Sequence, residues 1–215
     1  STNKYSTILL PSGKVFVAYR DSNPYLYGIL LTISGTTITA SANTQLNTIV
    51  STADLSACLL PSGNIAIGYS YNSSKYLHAL AVSISDNTIT VGTSTSIYTS
   101  SNAGFSISSL ALPNGDVFIA HCANSNFYLY SELISVSGTT VTLKKTVTLN
   151  NTVAYAGYRL SACVLSDGNI FIAHSGYSDY CLYGMVCSVT DSNIVTKISD
   201  VFIGAKVTSH TAEVI

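Results

Sequence analysis

The chain has 215 residues, of which only 9% are charged, with a formal net charge of −1 and its polarity carried by Ser, Thr, Asn and 15 Tyr. That balance argues against a nucleic-acid binder, which needs a basic stripe to displace phosphate counterions. No apolar run approaches the roughly 18 to 20 residues of a membrane-spanning helix, and no signal-peptide pattern opens the sequence, so it reads as soluble or as the exposed end of something larger.

From the N-terminus, four runs rich in Val, Ile, Leu, Thr and Tyr have strand composition: Tyr5 to Leu10, Lys14 to Arg20, Tyr25 to Ser34 and Thr37 to Ala40. Pro11-Ser12-Gly13 joins the first pair and Ser34-Gly35-Thr36 the second, and both are short enough for hairpins. The phrase Leu9 to Tyr19 then returns as Leu59 to Tyr69, Ala111 to His121 and Val164 to His174, with glycines Gly13, Gly63, Gly115 and Gly168 spaced by 50, 52 and 53 residues. A second block follows each copy: Tyr25-Leu26-Tyr27, Tyr76-Leu77-His78, Tyr128-Leu129-Tyr130 and Cys181-Leu182-Tyr183. The chain is therefore four versions of one antiparallel four-stranded meander.

The third strand of the first copy sets Tyr25, Tyr27, Ile29, Leu31 and Ile33 against Leu26, Gly28, Leu30 and Thr32, so neither side is charged. A sheet apolar on both faces needs a neighbour on both, and radial repetition supplies one. The predicted fold is an all-β propeller, with a β-solenoid or a pair of sandwiches as alternatives. One repeat domain spans 1–215, with blades at about 5–53, 54–105, 106–158 and 159–203. The last fourth strand is expected near Ile194 to Ile198, with Val201 onward as linker. Residues 204–215 form an overhang that seals the ring, pairs with a partner or begins further blades.

In such a unit the tight hairpins fall on one end of the disc and the longer loops on the other, and the loop end is expected to be the one with room for chemistry. Its loops between second and third strands differ between copies while the strands agree, which is how binding function is hosted on a rigid scaffold. The candidate ligand-binding residues are Arg20, Asp21, Tyr71, Asn72, Lys75, Asn124, Asn126, Tyr177 and Asp179. Tyr offers a flat apolar ring and a hydroxyl, and Asn, Asp and Ser offer adjustable hydrogen bonds, which suits neutral, hydroxyl-rich ligands. The repeat-equivalent Tyr19, Tyr69, His121 and His174 read instead as blade-to-blade packing residues whose polar atoms are satisfied by backbone.

No catalytic motif appears, and no catalytic residue, cofactor or metal site is assigned. Glycoside hydrolysis needs two facing carboxylates, whereas Asp86, Asp116, Asp167 and Asp191 lie in or beside tight turns. Glu132, within a strand, is expected to pair with Lys or Arg, and Lys144-Lys145 to form a solvated strand end. The five cysteines are expected to be buried free thiols, since no Cys-x-x-Cys spacing occurs.

Ser12 to Ser22 (Ser-Gly-Lys-Val-Phe-Val-Ala-Tyr-Arg-Asp-Ser) and Leu31 to Thr39 (Leu-Thr-Ile-Ser-Gly-Thr-Thr-Ile-Thr) resemble the repeats of bacteriophage tail-fibre and related tail-associated proteins. The resemblance covers all four units but lies in scaffold residues. It implies a non-catalytic, lectin-like receptor-binding module that attaches to bacterial cell-surface glycans or another surface receptor. It further implies an extracellular or virion-tail location and a homo-oligomer or attachment to a larger tail-like particle. The competing readings are a structural or protein-interaction propeller and, third, a glycan-processing enzyme.

Overall fold

The structure, a computed structural model, describes residues 5–21, 25–48, 52–71, 76–100, 105–123, 126, 128–150, 156–176, 180–190 and 193–204. Every regular element among them is a strand. The first sheet contains β1 (Tyr5–Leu9), β2 (Val15–Arg20), β3 (Leu26–Ser34), β4 (Thr37–Ala40) and β5 (Thr44–Gln45), and the second β6 (Thr52–Leu59), β7 (Ile65–Tyr71), β8 (Leu77–Ser85), β9 (Thr88–Val91) and β10 (Thr95–Tyr98). The third holds β11 (Phe105–Ala111), β12 (Val117–Cys122), β13 (Leu129–Ser137) and β14 (Thr140–Asn150); the fourth holds β15 (Ala156–Val164), β16 (Ile170–Gly176), β17 (Leu182–Thr190) and β18 (Asn193–Gly204). Each is an antiparallel meander in chain order, and the short β5 and β10 continue the interrupted fourth strands by pairing with β3 and β8.

The first hairpin of every blade closes the same way. The glycine at its end donates its N–H to the carbonyl three residues back, at 2.9 Å in all four copies, and takes φ between 79° and 86°. That left-handed backbone is open to glycine without strain, which is why Gly13, Gly63, Gly115 and Gly168 mark the period.

Both sides of the inner blades are buried. Ile65 to Ser70 of β7 and all of β12 are covered on each face. Three apolar layers result. Phe16, Ala18, Leu26 and Leu30 pack on Leu55, Ile65, Ile67 and Leu80; Ala66, Ala79, Ala81 and Ile97 pack on Ile107, Val117, Ile119 and Ile134; Phe118, Ala120, Leu129 and Leu133 pack on Leu160, Ile170, Ile172 and Met185. The inner strands β1, β6, β11 and β15 follow one another about the axis. Serines stitch them together: Ser6 accepts a hydrogen bond from the Ala57 amide (3.1 Å), Ser56 from Ser109 (2.9 Å) and Ser108 from Ala162 (3.1 Å). The four sheets are the blades of a β-propeller, as the two-faced apolar strands require.

Three expectations are corrected. Residues Val201 to Gly204 continue β18 rather than forming a linker, and 205–215 lie outside the described residues. Lys144 sits mid-strand in β14 and pairs with Asp116 at 2.7 Å, because the hairpin of its own blade brings that carboxylate alongside. Among the described residues Glu132 pairs with no Lys or Arg; its partners there are His121 and Thr146. All five cysteines are free, and Cys58, Cys122 and Cys187 are buried. Burial pushes the Cys58 and Cys122 thiols up to about 12 and Cys187 up to about 11, which leaves them protonated and unreactive.

Candidate functional site

At the loop end of each blade, an aromatic ring near the end of the second strand stands across from one on the third: Tyr19 from Tyr27, Tyr69 from His78, His121 from Tyr130 and His174 from Tyr183. The rings stack with centroids 5.9, 5.7, 5.6 and 5.8 Å apart. Such cross-strand pairs fix ring orientation as well as adding contact area.

Toward the stacks of blades two, three and four the preceding blade sends one residue from its last strand or the chain just beyond: Asn47, Tyr98 and Asn150, spaced by 51 and 52 residues, much as the glycines are. Between blades one and two, the Asn47 amide donates to the Tyr69 hydroxyl at 2.8 Å, and that hydroxyl shares a 2.5 Å hydrogen bond with Ser94. Burial pushes the Tyr69 phenol up to about 12 and lowers His78. Between blades three and four, His174 Nε2 lies 2.8 Å from Asp200 Oδ1, and Asn150 Nδ2 donates to the other oxygen.

Between blades two and three, His121 Nε2 lies 3.3 Å from Glu132 Oε1, both side chains fully buried, and the Thr146 hydroxyl donates to Oε2 at 2.5 Å. Burial holds Glu132 up at about 8 and His121 down at about 3, so a neutral acid and a neutral imidazole share this contact at intermediate pH. Asn47 and Asn150 fasten the first two nodes to the blade before, whereas the third lies within blade three and meets blade two through the Tyr98 ring. Tyr69, His121 and His174 are buried between blades as expected, whereas Tyr19 is half-open on the first blade, and side chains rather than backbone satisfy the Tyr69 hydroxyl.

The slot between blades two and three extends outward as an aromatic ladder. Tyr98 lies 4.8 Å from His121 and 5.0 Å from Tyr130, and Tyr128 continues the series 6.5 Å beyond Tyr130. Burial first, and Tyr130 second, raise the Tyr98 phenol. Asn126 braces the outer end: its amide donates to the Tyr130 hydroxyl at 2.9 Å and its carbonyl accepts from the Tyr128 N–H at 3.1 Å. Tyr98, Asn126, Tyr128 and Tyr130 are all half-buried. Flat rings with a fixed amide and phenol hydroxyls beside them can hold the apolar face and the hydroxyl edge of a neutral sugar.

Of the residues expected at the site, Arg20 ends β2, half-buried, and Asp21 lies next to it, where it helps burial raise the Tyr19 phenol. Tyr71 ends β7 with its ring edge-on to His78 at 5.9 Å. Asn126 is the one that joins the ladder between blades two and three. Asn72, Lys75, Asn124, Tyr177 and Asp179 lie outside the described residues. The described candidates sit at the loop ends of three blades, Arg20 and Asp21 on the first, Tyr71 on the second and Asn126 on the third. Sequence reasoning missed Tyr98 and Asn47, whose shared spacing was the available signal.

The expectation that only the loop end has room is also corrected. Two cavities sit at the hairpin end, one of about 330 Å³ beside Thr39, Ser41 and Asn87, and one of about 580 Å³ between Asn114 and Asp167–Asn169. Short turn residues leave those wedges unfilled. Among the described residues, no group of three or more His, Cys, Asp and Glu could hold a metal ion.

Comparison with protein-family models gives no match, and comparison with curated proteins gives none. Solved structures do match. The chain superposes on the fucose-specific lectin from Aleuria aurantia with a TM-score of 0.57 and 16% identity, covering 94% of this chain and 61% of that one. It superposes on the SapL1 lectin, solved with alpha methyl fucoside, with a TM-score of 0.56 and 10% identity, covering 92% and 64%. An exo-β-1,3-galactanase from Clostridium thermocellum gives 0.58 and 9%, covering 94% and 48%. The chain thus spans about half to two-thirds of the length of these structures, and at such identities the likeness establishes a shared fold alone.

Proposed function

We propose that the protein is a non-catalytic, lectin-like module that binds neutral glycans at the loop end of its blades, with the slot between blades two and three as its best-formed site. The observation that carries this reading is the half-buried ladder of Tyr98, Tyr130 and Tyr128 braced by Asn126. Two sugar-binding lectins among the structures of the same fold support the ligand class. Attachment to a bacterial surface at the tip of a tail-like particle, outside the cell, rests on the repeat resemblance. Several modest sites on one disc, or several discs on one particle, would add up to firm attachment.

The galactanase of the same fold favours a second reading, an enzyme that processes glycans, and the raised Glu132 has the protonation of a general acid. Its carboxyl, however, is fully buried and engaged by His121 and Thr146, with no open side for a substrate. Screening the chain on a glycan array, with Tyr128→Ala and Asn126→Ala beside it, tests the proposal. Each variant is expected to lose about tenfold in affinity, the worth of one stacked ring or oriented polar contact, with an unchanged melting temperature. Release of reducing sugar from a bound glycan would favour the enzyme; an array without a hit would refute glycan binding.

A further inference from the structure

Every blade has a leading face, turned to the blade before it, and a trailing face, turned to the blade after it. The chain makes the contact between a trailing and a leading face three times, and the residues that make it recur at the repeat spacing. On the leading face, Leu55, Ile107 and Leu160 are each at most 8% exposed, whereas their first-blade equivalent Tyr5 is 72% exposed. Ile67, Ile119 and Ile172 are fully buried, and their equivalent Val17 is half-open, flanked by the equally half-open Val15, Ile29 and Leu31 and by the exposed Leu9. On the trailing face, Leu46, Ile97 and Leu149 are at most 9% exposed, whereas Ile203 of the fourth blade is 48% exposed. Phe16 and Phe118 are fully buried there, and Phe171 is half-open.

The two end faces are therefore the two halves of an interface that the chain already forms internally. At those positions they carry apolar or aromatic residues and no charge. Their detail matches too. Gly184 lets Phe171 lie across β17 as Gly28 lets Phe16 lie across β3, with a Cβ on either glycine meeting the ring at 2.9 Å. The Thr7 amide is the equivalent of the Ala57, Ser109 and Ala162 amides that bond the serines of the blade before.

We propose that the leading face of the first blade docks on the trailing face of the fourth blade in a second copy of this chain, so that copies associate head to tail. The contact is heterologous, each copy offering both halves of it, and the repeat itself argues for the occupant: a leading face of this pattern packs on a trailing face three times within the chain. The proposal does not depend on sugar binding.

Sedimentation velocity on the 215-residue chain over a concentration series tests it. The wild type is expected at twice the monomer mass or more. Val17→Asp damages only the leading face and Ile203→Asp only the trailing face, so each variant alone is expected to fall to the monomer. Mixing the two restores one undamaged pair of faces, and the doubled mass is expected to return. Circular dichroism keeps loss of fold apart from loss of association, and a variant that unfolds is replaced by Leu9→Lys on the leading face or by Val201→Lys, which lies opposite Gly184 on the trailing face. A wild type that stays monomeric at every concentration, or a mixture of folded variants that fails to regain mass, would overturn the proposal.

Discussion

Glu132 and His121 show how a fully buried polar contact is held. For Glu132 the folded value of about 8 lies above its ordinary 4.5, so its contribution to stability is complete below pH 4.5 and is lost as pH rises through 8. His121 works in the opposite sense: lowered from 6.5 to about 3, it contributes fully above pH 6.5, and that contribution is lost as pH falls through 3. Stability is therefore expected to peak between about pH 4.5 and 6.5 and to decline on the alkaline side by a few kcal/mol. Glu132→Gln preserves the shape, accepts from Thr146 and donates to His121. It is expected to flatten the alkaline arm while keeping the acid one, as melting temperatures from pH 4 to 9 would record; parallel curves for the two proteins would contradict this. The node was not legible in the sequence. A strand acid calls for a cation by default, and only the fold reveals that a histidine and a threonine of the two neighbouring strands are its partners.

At the level of the element, two kinds of glycine separate. Gly13 is needed for its backbone alone: φ is 79° and a Cβ would meet nothing within 4 Å, so Gly13→Ala is expected to cost about 1 kcal/mol. Gly92, just after β9, is needed for space. A Cβ there would stand 2.0 Å from the Thr139 carbonyl oxygen in the hairpin of the next blade and 2.9 Å from that of Ala81. Both obstacles are backbone, so Gly92→Ala is expected to cost several times more, on the order of 3 kcal/mol. Urea unfolding of the two variants tests the contrast, and equal losses would contradict it. The hairpin glycines were readable because a local turn demands them in every copy. Gly92 was not, since its constraint comes from a hairpin nearly fifty residues further along.

The molecule as a whole was legible wherever its structure repeats and opaque wherever repeats meet. Strand limits, hairpins and the propeller follow from the two-faced apolar strands, and they agree with the structure within a residue or two in the first blade. The bridging partners Asn47, Tyr98 and Asn150 lie in the variable ends of the fourth strands, where no local pattern marks them. The same juxtaposition makes the candidate site, since the ladder takes Tyr98 from one blade and His121, Tyr128 and Tyr130 from the next. A decisive measurement is chemical-shift mapping of the labelled protein titrated with the glycan that binds best on an array. Saturable shifts are expected to cluster on Tyr98, Asn126, Tyr128 and Tyr130; shifts centred on Asn114, Asp167 and Asn169 at the hairpin end, or none at all, would contradict a glycan site between the second and third blades.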